Sequence, residues 1–465
     1  MESFFRLNER NTSVKTEILA GLTTFMTMAY ILFVNAGMFA NLGTVSYEAI
    51  YIATALSASF GSILIGLLAN LPLAQASGMG LNAFFVFTMC FGFGFTYANA
   101  LVMVLLDGIL FTLLTVTGLR SLIFNAIPDV IKKAIPVGIG LFIAYIGLQS
   151  AGIIIADAST ASAMSSLNIF SGSATWASIM PLLVTFITIL VIAAFTAKQK
   201  KGAVLLGILV GTILYYICGF TIPGFYDGFF AGMSFNPVAA FSAFNSEALF
   251  AVFRSGFDFS EYIAAHGTAN FALTLISSMV AFCLVDMFDT MGTLYGACSR
   301  GGLVDENGNV VNLEKAMLSD ALATVVGAIC GTSTVTTFVE SSAGVAEGGR
   351  TGLTGVTVGI LFFIAMFFAP IASLIPGAAT AAALIYVGSL MIMSVKDVDW
   401  SDVEIAVPAF LTIAFMAFSY SISNGIGIGV LSYTIIKIFT GKVKEVNIAT
   451  WVIDILFLAM FLLSH

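Results

Sequence analysis

Closely spaced apolar runs constrain the fold of this chain more than any other feature of its sequence. Fifteen runs can be traced, and most approach the ~20 residues that a helix needs to cross a bilayer. Only 9% of the 465 residues are charged, whereas soluble domains need about 25%. The sequence therefore predicts an all-α polytopic membrane protein. The runs are 17–40, 48–69, 79–96, 98–118, 130–150, 176–196, 203–222, 270–296, 315–330, 338–349, 353–374, 377–395, 403–421, 423–440 and 448–464.

The distribution of lysine and arginine predicts the orientation, because cytoplasmic loops carry an excess of both. Arg6, Arg10 and Lys15 precede the first run, and the loop 151–175 contains neither residue type. We therefore expect a multi-pass protein of the cytoplasmic membrane with a cytoplasmic N-terminus. Because the number of runs is odd, two interpretations stay open for the C-terminus. Either His465 lies outside, or one of the last three runs does not cross the membrane.

The end of the sequence adds one local expectation. The segment Ser423–Gly425 separates the runs 403–421 and 423–440, which predicts two half-length helices with a break at that segment.

An internal repeat points to a transporter. The block Phe25–Ala29 resembles Phe288–Gly292, and a glycine-rich interruption follows each block, at Ser77–Asn82 and at Glu340–Gly344. Seven spans separate the two copies, and an odd number inverts the second copy relative to the first. Inverted repeats with broken helices at matching positions indicate the binding site of a transporter. Chance similarity between apolar helices is the alternative explanation of the two blocks.

Two acids on one predicted helix are candidates for chemistry. Asp286 and Asp289 lie three residues apart, so they share a helical face, and no Lys or Arg lies in the same run. An unpaired Asp at mid-helix costs about 2.5 kcal/mol or more in lipid. Two adjacent carboxylates at low dielectric tend to share a proton, which suits proton-coupled transport. The structural alternative is a pair of acids hydrogen-bonded to backbone at a helix break.

Glu340 and Asn82 occupy the matching interruptions. The residues before Glu340 are β-branched and rich in hydroxyls, which favours a short extended segment that leads into a helix. A Glu at the positive end of that helix can accept a ring N–H from a ligand, and the amide of Asn82 can donate and accept at once. A simple helix cap is the alternative for Glu340. Phe84, Phe288 and Phe338 are candidates for an apolar slot around a flat ring, with lipid or core packing as the alternative for each.

Other charged residues are interpreted structurally. Asp107 and Asp320 are lone acids inside apolar runs, and each is expected to hydrogen-bond between helices. Glu347 and Arg350 are expected to pair with each other. Glu17 is interpreted as a charge at the N-terminus of the first span.

Several classes of function are disfavoured by the composition. The two histidines, His266 and His465, lie outside the apolar runs, so we expect no metal, haem or other cofactor and no intramembrane enzyme. The five cysteines predict neither disulfides nor a metal site. Nothing resembles a nucleic-acid footprint. An anion transporter would need Lys or Arg near the interruptions, where this chain has Asp286, Asp289 and Glu340 instead.

At these motifs the chain resembles the AzgA-like branch of the nucleobase permeases, which transport adenine, guanine and hypoxanthine and are related to the uracil and xanthine permeases. The resemblance covers nearly the whole chain. It rests on the blocks Thr16–Tyr30, Gly78–Phe85, Phe288–Thr293, Glu340–Val345 and Gly348–Thr354.

The resemblance implies about fourteen spans in two inverted repeats of seven. Spans 1–4 and 8–11 would form a core domain, spans 5–7 and 12–14 a gate domain, and spans 3 and 10 would each begin with a short strand. The first repeat would occupy residues 1–222, an external connection 223–269 and the second repeat 270–465.

The resemblance also implies the site and the activity. Asn82, Asp286 and Glu340 match proposed purine contacts, and Asp289 matches a proposed proton-linked carboxylate, with the roles of the two Asp residues interchangeable. The expected activity is import of a purine base by proton symport, with an elevator-like movement of core against gate. Sodium is the alternative to the proton as the coupling ion. A homodimer is compatible with the fold.

Overall fold

The computed structural model describes residues 2–118, 128–157, 159–170, 172–226, 236–304 and 310–463. Nine helices within these ranges are long and apolar enough to cross a membrane. Each of the fifteen apolar runs contains at least one helix. The structure therefore confirms the expected polytopic helical membrane protein.

The two halves of the chain are built from the following described elements. The first half contains α1 (Glu2–Phe5), α2 (Val14–Met28), α3 (Tyr30–Ala40), α4 (Tyr47–Leu68), β1 (Gln75–Ser77), α5 (Met79–Ala83), a π-helix (Phe84–Gly92), α6 (Tyr97–Val116), α7 (Asp129–Ser150), β2 (Ile154–Asp157), β3 (Ala161–Met164), α8 (Trp176–Ala197) and α9 (Ala203–Gly219). A connection follows, with α10 (Pro237–Ala243), a π-helical turn (Phe244–Ala248), α11 (Ala251–Arg254) and α12 (Ser260–His266). The second half contains α13 (Thr268–Arg300), α14 (Leu313–Cys330), β4 (Val335–Thr337), α15 (Ser341–Ala346), α16 (Gly352–Ala365), a 3₁₀ turn (Met366–Phe368), α17 (Ala369–Ala372), α18 (Gly377–Met391), a 3₁₀ segment (Ile392–Asp397), α19 (Val403–Phe418), α20 (Ile422–Phe439), a 3₁₀ turn (Val443–Glu445) and α21 (Ile448–Leu463).

The helices pack into two bundles. In the core bundle, α2, α3, α4, α6, α14, α15 and α16 pack around the strands β1 and β4. In the gate bundle, α7, α8, α9, α18, α19 and α20 pack on one another. Helix α13 contacts α6, α15 and β4 of the core and also α7 and α20 of the gate, so it lies between the bundles. The assignment of individual spans to core and gate domains stays a prediction.

Small residues bring α16 very close to α4. A Cβ added to Gly355 would lie 2.6 Å from the carbonyl oxygen of Leu73, and one added to Gly359 would lie 2.7 Å from that of Ser59. Membrane helices lack a strong hydrophobic drive to associate, so close backbone packing of this kind holds them together. The packing fixes α4 and the segment that leads into β1.

The break between the last two gate helices differs from the expected position. Helix α19 ends at Phe418 and α20 begins at Ile422, so Asn424 and Gly425 lie in the first turn of α20 rather than in the break. The physical reason is a cap, because the Ser421 side-chain oxygen accepts the backbone N–H of Asn424. The expected break at Ser423–Gly425 was therefore wrong by a few residues.

Candidate functional site

Two three-residue strands cross inside the core bundle and set the geometry of the site. Strands β1 and β4 pair antiparallel with Ala76 opposite Thr336, and the Phe338 N–H extends the pairing by donating to the carbonyl of Ala74 at 3.0 Å. Extended backbone at membrane depth is tolerated only when protein satisfies it, as here. Matching strands of inverted repeats run in opposite directions, so the pairing fits the expected symmetry.

Each strand leads directly into a short helix. Helix α5 follows β1 after Gly78, and α15 follows β4 after Glu340. These elements confirm the strand-to-helix arrangement predicted at both interruptions. A Cβ added to Gly80 in α5 would lie 2.7 Å from Cγ2 of Ile139 in α7, so the gate bundle packs directly on this half-helix.

Glu340 is held by a tyrosine from the first span. The Tyr30 hydroxyl donates to Oε1 of Glu340 at 2.7 Å, and the Tyr30 side chain is buried. Tyr30 is the first residue of α3, directly after Ala29 interrupts the first long helix. The contact of Tyr30 with Glu340 was not predicted from the sequence, because a phenol inside an apolar run does not identify its partner.

Asp289 reaches the same strand from the other side. The hydroxyl of Thr336, the central residue of β4, donates to Oδ2 of Asp289 at 3.1 Å. Glu340 follows the last residue of β4 by three positions, so both acids lie at this strand. The structure therefore brings two of the predicted acids together at the strand crossing, although they are distant in sequence.

Asp286 lies one helical turn before Asp289 on α13. Its side chain is fully buried, whereas that of Asp289 is only partly buried. The two acids thus differ in environment despite their spacing. Which of them binds a ligand and which carries a proton stays a prediction.

Asn82 takes part in a buried polar network in this conformation. Its Oδ1 accepts from the Ser77 hydroxyl at 2.7 Å, and its Nδ2 donates to the Ser77 carbonyl at 3.3 Å. The network continues from Ser77 to Thr332 and Asn35, all fully buried. The amide is therefore oriented toward the strand crossing by hydrogen bonds within the core.

The three phenylalanines proposed for an apolar slot have different surroundings. Phe84 is fully buried and packs edge-on against Phe282 with ring centroids 4.7 Å apart. Phe338 is buried beside the end of β4. The side chain of Phe288 lies outside the described residues. A ring slot formed by these residues stays a prediction.

Asp320 shows the structural role expected of it. Its Oδ2 accepts from the Thr290 hydroxyl at 2.8 Å, and its Oδ1 accepts from the Gln75 side-chain amide at 3.3 Å. All three side chains are fully buried. Asp320 thus ties α13 to β1 directly beneath the strand crossing.

One structural expectation was incomplete and one was wrong. Glu17 lies in the first turn of α2, as expected, but it is also fully buried and accepts the backbone N–H groups of Arg350, Thr351 and Thr354, so it caps α16 as well. Glu347 pairs with Lys201 at 2.8 Å, while Arg350 donates to backbone carbonyls. In both cases the partner comes from a distant segment, which spacing along the chain cannot indicate.

Two cavities open beside the site. A cavity of about 880 Å³ lies between the start of α6 and the connection that contains α11 and α12. A second cavity of about 430 Å³ lies between the π-helix and the turn that joins α19 to α20. Neither Asp289 nor Glu340 lines these two cavities.

Relatives with functional names match almost the entire chain. An adenine permease of Escherichia coli, AdeP, is 36% identical over 458 residues, which cover 98% of this chain and 95% of that protein. A guanine/hypoxanthine permease of Bacillus subtilis, PbuO, is 38% identical over 465 residues, which cover 97% of this chain and 98% of that protein.

The fold and a family assignment agree with these relatives. The transmembrane domain of a cyanobacterial bicarbonate transporter, BicA, superimposes with a TM-score of 0.60 at 15% identity, covering 88% of this chain and 97% of that domain. This likeness shows a shared fold. Residues 15–428 match the Permease family, Xan_ur_permease. With most of its length matched, this chain belongs to that family of membrane permeases.

Proposed function

We propose that this permease imports purine nucleobases across the cytoplasmic membrane by proton symport. Support comes from the two relatives whose names specify adenine and guanine/hypoxanthine. The observation that carries the proposal is the convergence of Asp289 and Glu340 on one strand crossing, where each accepts a hydrogen bond from a neighbouring hydroxyl. Such a pair can accept both a ring N–H and a proton.

Glu340 is the proposed acceptor for the base. A carboxylate has about four lone-pair sites, and Tyr30 uses one of those on Oε1. The other oxygen is thus available for a ring N–H, which forms a charge-assisted hydrogen bond. Asn82 on the opposite half-helix can present its amide to the ring edge once the Ser77 contacts adjust.

Asp289 is the proposed proton carrier. Two carboxylates that interact at low dielectric are costly when both are charged. A proton on Asp289 removes that cost before the base binds beside Glu340, and the loaded site then carries less charge through the barrier. The core bundle would then move against the gate, with the close contact of Gly80 and Ile139 as the sliding surface.

Anion transport on the same fold is the competing function, because the fold is shared with a bicarbonate transporter. An anion site should offer a cation beside the helix N-termini. Among the described residues, neither Asp289 nor Glu340 is hydrogen-bonded or ion-paired to a lysine or arginine. Two acids without a cation favour a neutral, nitrogen-rich solute.

Uptake of radiolabelled hypoxanthine, adenine and guanine in a strain lacking its own purine permeases tests the function. We expect uptake that unlabelled bases compete with and bicarbonate does not. Glu340→Gln should abolish uptake, whereas Asp129→Asn, at an exposed acid near the start of α7, should not. Uptake that competes with bicarbonate alone would contradict the proposal.

The coupling ion has its own test. Asp289→Asn should abolish accumulation driven by a pH gradient while allowing exchange of labelled for unlabelled base. Replacing external sodium with choline should leave uptake unchanged. If accumulation persists in Asp289→Asn with unchanged pH dependence, Asp289 is not the proton carrier, and loss of uptake in choline would identify sodium as the coupling ion.

The proposed orientation places the N-terminus in the cytoplasm, because Arg6, Arg10 and Lys15 precede the first span. A protease recognition site fused to the N-terminus should be cleaved in inside-out vesicles, in which the cytoplasmic side faces the protease. It should stay uncleaved in intact cells. Assembly as a homodimer stays a prediction.

A further inference from the structure

The cavity between the π-helix and the α19–α20 turn has the composition of a small-molecule site. Its volume of about 430 Å³ falls within the range of ~300–1,000 Å³ typical of ligand pockets. The π-helix, which follows α5, forms one wall, and the turn between the gate helices α19 and α20 forms the other. We refer to it as the aromatic cavity and define it by its main lining residues, which are Phe87, Thr88, Phe91, Phe93, Tyr420 and Asn424.

Four of the nine residues that line the cavity are aromatic. Phe87 meets the ring of Tyr420 edge-on with centroids 5.4 Å apart, and Phe142 and Tyr145 of α7 hold Tyr420 from the gate side at 5.4 and 5.9 Å. The side chain of Phe91 is 56% exposed, so its face is available. Aromatic faces bind flat rings by offset or edge-on contact.

The cavity also contains a polar group suited to a heterocycle. Within the described ranges the side-chain amide of Asn424 makes no hydrogen bond to protein, while its backbone N–H donates to Ser421. An amide that can donate and accept matches the edge of a ring that carries both N–H and ring nitrogen or carbonyl groups. The ligand class is therefore a planar nitrogen heterocycle rather than an apolar ring.

The backbone around the cavity is unusual on both walls. Nine residues of π-helix, Phe84–Gly92, continue directly from α5, and π-helical segments are concentrated at functional sites. Opposite them, Tyr420 has a φ of +57°, a left-handed conformation that is strained for a bulky residue. The Thr88 hydroxyl donates to the Tyr420 carbonyl at 3.4 Å and joins the two walls.

The cavity is connected to the strand crossing by one continuous helical segment. Asn82 lies in α5 and Phe91 near the end of the π-helix, nine residues later, or at most about 14 Å along the axis. We propose that the aromatic cavity is a capture site, separate from the Asp289/Glu340 site, that binds the planar nitrogen heterocycle before it reaches the strand crossing. This inference rests on the proposed function for the identity of the base.

Protection of an introduced thiol tests the capture site on the purified full-length protein. In Asn424→Cys, a water-soluble maleimide should label position 424, as quantified by peptide mass spectrometry. Hypoxanthine at ten times its half-protecting concentration should slow labelling about tenfold, because occupancy follows mass action. The control Ser166→Cys, in an exposed loop, should be labelled at the same rate with and without hypoxanthine.

The same measurement in an Asn424→Cys, Glu340→Gln double variant separates the two sites. Protection at an unchanged half-protecting concentration supports a separate capture site. If protection disappears with Glu340→Gln, it was transmitted from the strand crossing, and the inference is overturned. The inference is also overturned if position 424 is not labelled, or if hypoxanthine does not slow its labelling. The choice of ligand is tested in Ser419→Cys, which places the thiol at another lining residue and keeps the Asn424 amide. Equal protection of position 419 by naphthalene and hypoxanthine would also overturn the inference, since the cavity would then select only apolar rings.

Uptake by the unmodified protein keeps the two proposals apart. If bases are transported but do not protect position 424, only the capture site fails. If no base is transported, the proposed function fails whatever the labelling shows.

Discussion

Replacing Tyr30 with phenylalanine tests whether the hydroxyl positions Glu340 for the base. The substitution removes only the donor to Oε1 of Glu340, a 2.7 Å hydrogen bond in a partly buried environment. A hydrogen bond to a charged group contributes about 1.5–3 kcal/mol. If about half of that orients the carboxylate toward the ligand, binding weakens by about 1.4 kcal/mol, which is about tenfold. We therefore expect KM to rise about tenfold with little change in the maximal rate.

The assay is initial-rate uptake of labelled hypoxanthine at matched protein levels in membranes. Tyr216→Phe is the control, because the Tyr216 hydroxyl also makes a 2.7 Å hydrogen bond, to the Leu374 carbonyl in the gate bundle. That variant should keep the KM of the unmodified protein. A KM for Tyr30→Phe that is unchanged or lower would refute the positioning role, and a lower value would mean that Tyr30 competes with the base for Glu340.

Three further predictions concern the scaffold of the site. Asp320→Ala removes the acceptor shared by three buried donors, those of Thr290, Gln75 and Thr337, each costing about 1–3 kcal/mol when left unsatisfied, so the apparent melting temperature in detergent should fall, and less so in Asp320→Asn. Glu17→Ala leaves three backbone N–H groups of the α16 terminus without their acceptor, so it should lower the melting temperature while the remaining folded protein keeps its KM. Gly355→Ala should destabilise by about 1–3 kcal/mol through backbone clash, whereas Gly377→Ala, with open space around it, should not; equal melting temperatures for these two variants would refute the packing argument.

The sequence predicted the features that depend on local composition. Apolar runs of bilayer length predicted the helical membrane fold, and the β-branched, hydroxyl-rich residues before Glu340 predicted β4. The matching interruption predicted β1 and α5. These predictions succeed because helix length and backbone propensity are set by residues within one short segment.

Contacts between distant segments could not be predicted from the sequence. Tyr30 and Glu340 are separated by 310 residues, and Glu17 and Arg350 by 333. A carboxylate in an apolar run must find donors, but the sequence does not say which ones, because the choice depends on how the helices pack. For the same reason the pairing of Glu347 with Lys201 was missed.

The acids around the strand crossing differ in how many hydrogen bonds their carboxylate oxygens already accept from the protein. Asp320 accepts from both α13 and β1 through both of its oxygens, so a proton or ligand there would have to displace contacts that hold the fold together. Among the described residues, the side chain that donates to Glu340 and the one that donates to Asp289 are each a neighbouring hydroxyl, and both carboxylates are only partly buried. A carboxylate has about four lone-pair sites, so both acids can accept further donors. That difference, rather than burial alone, separates acids that stabilise the crossing from acids that can exchange partners during a transport cycle.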